Sequence, residues 1–473
     1  MIASSCRILA VLLAALVLGP AQAGAQAPAP APQPAPEPAM MPREPLPAPP
    51  GVRPFPTPSE VQEREITLEE AVRIALENQP QIQARIGDYQ AAQQRIWQAL
   101  SPQLPQVSGQ WGATEQQTVA SVLSPASQPV PLSLQRSVTV STTSLSTSAT
   151  VTASQLLWDF GKTLAATDAA RANARSSLED VEIQKDEIAR LVKEAYFNLL
   201  FRQRLVAVRR AALDRAELNL RSARGFFEVG TRPKSDVTRA EVDVANARVD
   251  LIRALNDVSL TRVTLNTLMG IAVNAPTKVK DILAYRQYPM DRDTLVAEAF
   301  QKRPEYRQAK ARVEASEATV KQTFRDFFPS INANGTYGAA RADMNEIWSF
   351  GVSLSWSLFD GGNRIARYKE AQASVRAAQA RLRDVELRIW QEVEQAYLNL
   401  LEAEERIGAA EKAVESAQEN FRLAQGRFDA GVANIIELTD AQLALTNAQA
   451  QAAQSLADYG VAVARLERAL GRR

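Results

Sequence analysis

The chain is written twice. Leu157-Trp158-Asp159-Phe160-Gly161 returns as Leu358-Phe359-Asp360-Gly361-Gly362, and Ala195-Tyr196-Phe197-Asn198-Leu199-Leu200 as Ala396-Tyr397-Leu398-Asn399-Leu400-Leu401. Phe227-Glu228-Val229-Gly230 returns as Phe428-Asp429-Ala430-Gly431, and Leu268-Met269-Gly270 as Ala469-Leu470-Gly471, all at an offset of 201 residues. A constant offset over so long a stretch means a duplicated structural unit, an internal two-fold repeat. Upstream, Pro80 matches Pro304 and Pro105 matches Pro329 at an offset of 224, so the first copy carries 23 additional residues between Pro105 and Trp158. The first copy spans 61–270 and the second 271–473.

Two segments precede the repeats. Residues 1–23 read as a signal peptide, with Arg7 in the positive region, an apolar run from Ile8 to Leu18 and the small-residue site Ala21-Gln22-Ala23. Cys6 is the single cysteine and precedes the apolar run, so it is expected to leave with the signal and to carry no lipid. Residues 24–60 are dense in Pro and Ala, a composition expected to stay extended outside any core. The chain has no histidine, which with the lone early cysteine removes thiol nucleophiles, disulfides and the commonest metal ligands. No cofactor, no metal and no enzymatic activity are expected, because no nucleophile motif or phosphate loop is visible. A formal net charge of +1 gives no electrostatic case for nucleic acid. No later apolar stretch is long enough for a transmembrane helix, so any membrane crossing must use strands closed into a barrel.

Gly161 to Val229 contains no proline and is rich in Ala, Arg, Glu, Leu and Gln, as is Asn363 to Ala430. Each such run makes a helical rod of about 100 Å. Leu178, Val181, Ile188, Val192, Ala195 and Leu199 mark a coiled-coil seam on the first rod. Each rod turns, near 230 and near 431, and returns as a helix to Met269 or Leu470. A further helix, Gln81 to Leu100, precedes the first hairpin and matches Glu305 to Phe324.

The strands alternate strictly. Trp348, Phe350, Val352, Leu354 and Trp356 form one apolar face, expected to meet lipid, while Ser349, Gly351, Ser353 and Ser355 form the other. Strands are expected at about 105–118 and 137–158 in the first copy and at about 329–340 and 347–358 in the second. Glu115 to Val138 should be a long loop, against a short turn at Arg341 to Glu346. Trp111, Trp158, Trp348 and Trp356 fall near strand ends, as interfacial girdles do. Four strands cannot close a barrel, for which about eight is the practical minimum. Three copies would supply twelve strands and a ring of twelve helical struts. The competing architecture is a soluble periplasmic coiled coil, structural or adaptor-like, which leaves the doubled hairpins unexplained.

In their order, spacing and duplication these motifs resemble the TolC family of outer-membrane efflux proteins over about Ile66 to Gly471. The carriers are Leu104-Pro105 and Phe328-Pro329 before the first strands, the Asp-x-Gly motifs after the second strands, the mid-rod Ala-Tyr pairs and the tip glycines. The resemblance implies an α+β membrane protein: a homotrimer with a 12-stranded β-barrel in the outer membrane, four strands per chain, and a long α-helical coiled-coil barrel in the periplasm. It implies a passive conduit for efflux or type I secretion, docked to a periplasmic membrane-fusion adaptor and an inner-membrane pump of RND, ABC or MFS type. Gly230, Thr231, Arg232, Gly431, Val432 and Ala433 would form the tips that meet the adaptor, and Glu437, Asp440 and Asp236 the acidic periplasmic gate. Some family members latch the closed tip with an arginine where this chain has Ala433; here an arginine, Arg232, stands at the corresponding place in the first copy, so the latch is expected to be rewired or absent. The residues leave the cargo open.

Overall fold

The computed structural model describes residues 65–123, 137–288, 292–340 and 344–473. The signal and leader readings lie outside them. The first copy runs α1 (Leu68–Asn78), α2 (Pro80–Leu100), β1 (Gln106–Leu123), β2 (Ser137–Trp158), α3 (Lys162–Glu228) and α4 (Lys234–Leu268). The second repeats it as α5 (Arg292–Lys302), α6 (Pro304–Arg325), β3 (Ser330–Ala340), β4 (Asn345–Ser355), α7 (Asn363–Asp429) and α8 (Ile435–Ala469). The rods α3 and α7 have 67 residues each and the return helices α4 and α8 have 35 each, so the duplication is kept to the residue.

The strands form one antiparallel sheet in the order β1-β2-β3-β4, with β1 and β4 at its edges. Register carries the alternation across all four strands. Val107, Ala153, Gly335 and Phe350 lie in one row, and Gly109, Val151, Tyr337 and Trp348 in another, on the same face. The opposite face holds Ser108, Thr152, Thr336 and Ser349 in register, with Thr152 and Thr336 hydroxyls 3.4 Å apart. A bulge between Leu156 and Trp158 adds one residue to β2 and brings Trp158 opposite Ile331, onto the apolar face.

Several boundaries depart from expectation. β1 continues to Leu123, so residues 115–123 of the expected loop are strand, paired with β2 as far as Leu123 opposite Ser137. Alternation there is weaker than the backbone pairing, which is why the pattern alone ended too soon. β4 stops at Ser355, so Trp356 and Leu358 lie beyond it; the Trp356 indole instead donates to the Phe327 carbonyl at 3.0 Å. The turn after β3 is shorter than expected, because β4 begins at Asn345.

On the first rod Val181, Ile188, Val192, Ala195 and Leu199 are buried, whereas Leu178 is exposed. The seam core includes Ala71, Ile74 and Ala75 of α1 and Leu265 of α4. Helix α1 is additional to the expected elements, and Thr67 and Glu70 form the capping box that starts it. Its counterpart α5 places Leu295 and Ala299 on the core of the second rod, with Ile389, Val393 and Leu400.

Tyr196 gives the mid-rod Ala-Tyr motif a physical role. Its buried hydroxyl lies 3.0 Å from the Ile66 carbonyl and 2.8 Å from the Lys280 carbonyl. Ile66 forms the parallel bridge Ile66↔Val279 and Lys280 is next to it, so one phenol ties the rod to a belt of chain at mid-height. Burial pushes that hydroxyl's pKa well above its usual value.

Candidate functional site: a hairpin-tip cluster below an open sheet

Each junction from sheet to rod is built on the Asp-x-Gly motif. The Asp159 carboxylate accepts from the backbone N–H of Gly161 at 2.9 Å and of Thr163 at 2.7 Å. Asp360 accepts from the N–H of Gly362 and of Arg364, both at 3.1 Å. A carboxylate satisfying the orphan donors of a helix start is a strong cap. The intervening residues turn left-handed, with φ of 56° at Phe160, 80° at Gly161, 65° at Gly361 and 87° at Gly362. Phe160 accepts that conformation while stacking on Phe328, with ring centroids 5.2 Å apart. The sequence flagged this motif, but not that its aspartates are the helix caps.

At the far end each rod closes on a left-handed glycine, Gly230 and Gly431, both with φ of 75°. The Gly230 N–H meets the Phe227 carbonyl at 2.9 Å and the Thr231 N–H meets that of Phe226 at 3.0 Å. Gly431 and Val432 repeat the arrangement on Phe428 and Arg427, both at 3.0 Å. This pattern satisfies the last carbonyls of a helix and reverses the chain in a few residues. The two tips pack together around Ala223, Ala240, Phe428, Ile435 and Leu438.

Arg232 joins them. Its guanidinium donates to the Ala433 carbonyl at 2.6 Å and to the Phe428 carbonyl at 3.3 Å, both on the second tip. It lies 4.2 Å from the Phe428 ring centroid and 5.6 Å from that of Phe226. Asp236, one turn on, pairs with it at 3.5 Å, and both side chains are largely buried (11% and 16% exposed). The arginine at the first-copy position therefore engages the backbone of Ala433, and this contact links the two tips of the chain. Asp236 is directed to Arg232 and shares no hydrogen bond or ion pair with Glu437 or Asp440 among the described residues.

Glu437 and Asp440 lie on α8. Asn434 caps that helix by accepting from the Glu437 N–H at 2.9 Å. The Glu437 carboxylate pairs with Arg427 at 3.4 Å, in an exposed contact, and Asp440 is exposed. Positions three apart share a helix face, so the two acids stand one above the other. Thr231, Gly431 and Val432 are exposed, while Ala433 is buried against the tip core.

On the sheet, Trp348, Phe350, Val352 and Leu354 are 61–77% exposed, and Trp356, just past the end of β4, is 55% exposed. Among the described residues the apolar face is thus uncovered in a single chain, and both edges of the sheet are free. Among the described residues no helix is long and apolar enough to cross a membrane. A soluble coiled coil without a sheet does not describe this chain.

A sheet with one apolar and one polar face, continuing into rods that end in paired tips, defines the class: an outer-membrane channel. The chain belongs to the outer membrane efflux protein family, whose profile matches residues 71–271 and 295–472. It is 25% identical over 327 residues to nodulation protein T of Rhizobium leguminosarum bv. trifolii, covering 67% of this chain and 69% of that one. It is 26% identical over 319 residues to the alkaline protease secretion protein AprF of Pseudomonas aeruginosa, covering 62% of this chain and 63% of that one. Its fold superposes on the CmeC outer membrane channel of Campylobacter jejuni with a TM-score of 0.73 at 16% identity, covering 85% of each chain. The protein is an outer-membrane channel component of the efflux and secretion class, with its helical tunnel in the periplasm.

Proposed function

We propose that the chain acts as a homotrimeric, passive conduit, docked through its tips to a periplasmic adaptor and an inner-membrane pump. The carrying observation is the four-stranded sheet with an uncovered apolar face and two free edges. In lipid, each unpaired edge N–H and C=O would cost several kcal/mol, so the sheet must be completed by other copies. Three copies reach twelve strands, enough to leave a water-filled lumen lined by the Ser, Thr and Asn face.

In this reading 61–270 and 271–473 are the two repeats of one body, and the cap-to-tip rods form the tunnel wall. Glu437 and Asp440 ring the narrow periplasmic mouth, and Asp236 acts behind them by holding Arg232. Gly230, Thr231, Gly431 and Val432 are the apex that an adaptor hairpin meets. The chain carries out no chemistry of its own, and energy comes from the pump. Mass measurement of the detergent-purified protein, followed by planar-bilayer recording, tests this. A trimer with a discrete conductance is expected; a stable monomer without channel activity would overturn it.

A further inference from the structure

A groove of about 780 Å³ runs between α6 and α7, with Asn173 and Ile183 of α3 among its lining residues. It lies on helices away from the tip acids and is not used by the gate reading. Five arginines and three carboxylates line it. The carboxylates are engaged. Glu305 receives Arg303 at 3.1 Å and Arg468 at 2.6 Å, and Glu392 lies 2.6 Å from Arg303 and 3.4 Å from Arg468. Asp384 pairs with Arg388 at 3.3 Å, both on α7 and both more than half exposed.

Two arginines remain. Arg312 of α6 offers its Nε to the Ser176 hydroxyl at 3.3 Å, and Arg381 of α7 makes no ion pair among the described residues. They come from opposite walls of the same space. One part of the groove is therefore neutralised from within, while the other sets three arginines, Arg312, Arg381 and Arg388, against the single carboxylate of Asp384. Arg381 and Arg388 stand seven residues apart on one helix, about 10 Å along its axis. Guanidinium forks match the geometry of carboxylate and phosphate oxygens, and low-dielectric walls of one sign concentrate counter-ions between them.

We propose that this groove binds a small polyanion carrying two oxyanionic groups roughly 10 Å apart. One group sits between Arg312 and Arg381. The second takes Arg388 from its exposed, weakly held contact with Asp384. A lone phosphate would use one of these positions and leave most of the volume to water.

Titration calorimetry on the detergent-purified full chain, at low salt, tests the site with three probes: inorganic phosphate, hexane-1,6-diyl bisphosphate and octanedioate. At least one of the two long dianions should bind roughly tenfold more tightly than inorganic phosphate, and the tighter of them tells phosphate from carboxylate. Arg312→Gln with Arg381→Gln should weaken that binding by roughly tenfold or more. Both side chains are exposed, so thermal unfolding and oligomer mass should be unchanged. Arg422→Gln with Lys412→Gln removes the same charge from exposed positions of α7 outside the groove and should leave binding as it was. Neither dianion exceeding phosphate would overturn the site, as would equal losses in the two double variants, which would mean diffuse charge.

Discussion

The ring of Phe197 occupies the space in which Gly460 would carry a Cβ, with ring carbons 2.6 Å from that position. Phe197 belongs to the rod of the first copy and Gly460 to the return helix of the second, so the two repeats are keyed to one another at mid-height. Gly460→Ala gains about 1 kcal/mol of helix propensity but forces the ring out of a packed seam, at a cost of about 1–3 kcal/mol. Gly460→Val should lower the unfolding midpoint clearly, and Phe197→Leu in the same chain should recover much of the loss. Additive effects in the double-mutant cycle would show that the two sites are not coupled.

Arg232 holds both tips of one chain, through the Ala433 and Phe428 carbonyls and Asp236. Arg232→Ala should loosen the paired tips and raise single-channel conductance several-fold while leaving the trimer intact. Asp236→Asn should act in the same direction but less, because it removes only the ion pair. Unchanged conductance in both would limit the contact to tip stability.

Replacing Glu437 and Asp440 together with Ala should weaken cation selectivity and the block by divalent cations from the periplasmic side. If these acids only favour a helix start, the change costs well under about 1 kcal/mol per site and conductance stays as it was. Planar-bilayer recording separates the two outcomes.

Single cysteines can read the sheet. Labels at 353 and 355, on the polar face, should react with water-soluble thiol reagents, and labels at 350 and 356 should not. The reverse pattern would mean that the barrel is turned inside out.

Acid should loosen the attachment of α5. Arg472 and Lys302 hydrogen-bond the Glu298 carboxylate and hold its pKa down to about 2, below its ordinary value of 4.5. A depressed carboxyl contributes stability that is present above pH 4.5 and lost as pH falls towards about 2. The contact is partly exposed, so the effect should be no more than about 1 kcal/mol. Glu298→Gln should abolish this part of the pH dependence of unfolding and leave neutral-pH conductance unchanged.

Periodicity and duplication made the large elements legible. Proline-free runs bounded by glycine set the two rods, and the alternation of Trp348 to Leu354 with serine and glycine set the two faces of β4. What the sequence hid was relational. Nothing in Arg232 itself says that it reaches the carbonyl of Ala433, about two hundred residues away. Tyr196 reads in sequence only as a marker, because its partners are backbone oxygens, which every residue has. Trp158 sits on the apolar face only because the bulge shifts its parity, and a strict count of two would have turned it inward. Helix α1 was readable from Thr67 and Glu70 but too short for its apolar spacing to stand out.

The strands of the two copies are unequal: 18 and 22 residues in β1 and β2, against 11 and 11 in β3 and β4. About 9–11 tilted residues suffice to span a bilayer core. In a closed barrel the second hairpin would therefore end near the membrane surface, while the first would continue past it. In the proposed trimer the outer mouth would be castellated, with three tall hairpins separated by three low gaps. Phage, antibody or protease approaching from outside would then meet almost only the first copy. The second copy, its near twin inside the periplasm, would be free of that selection.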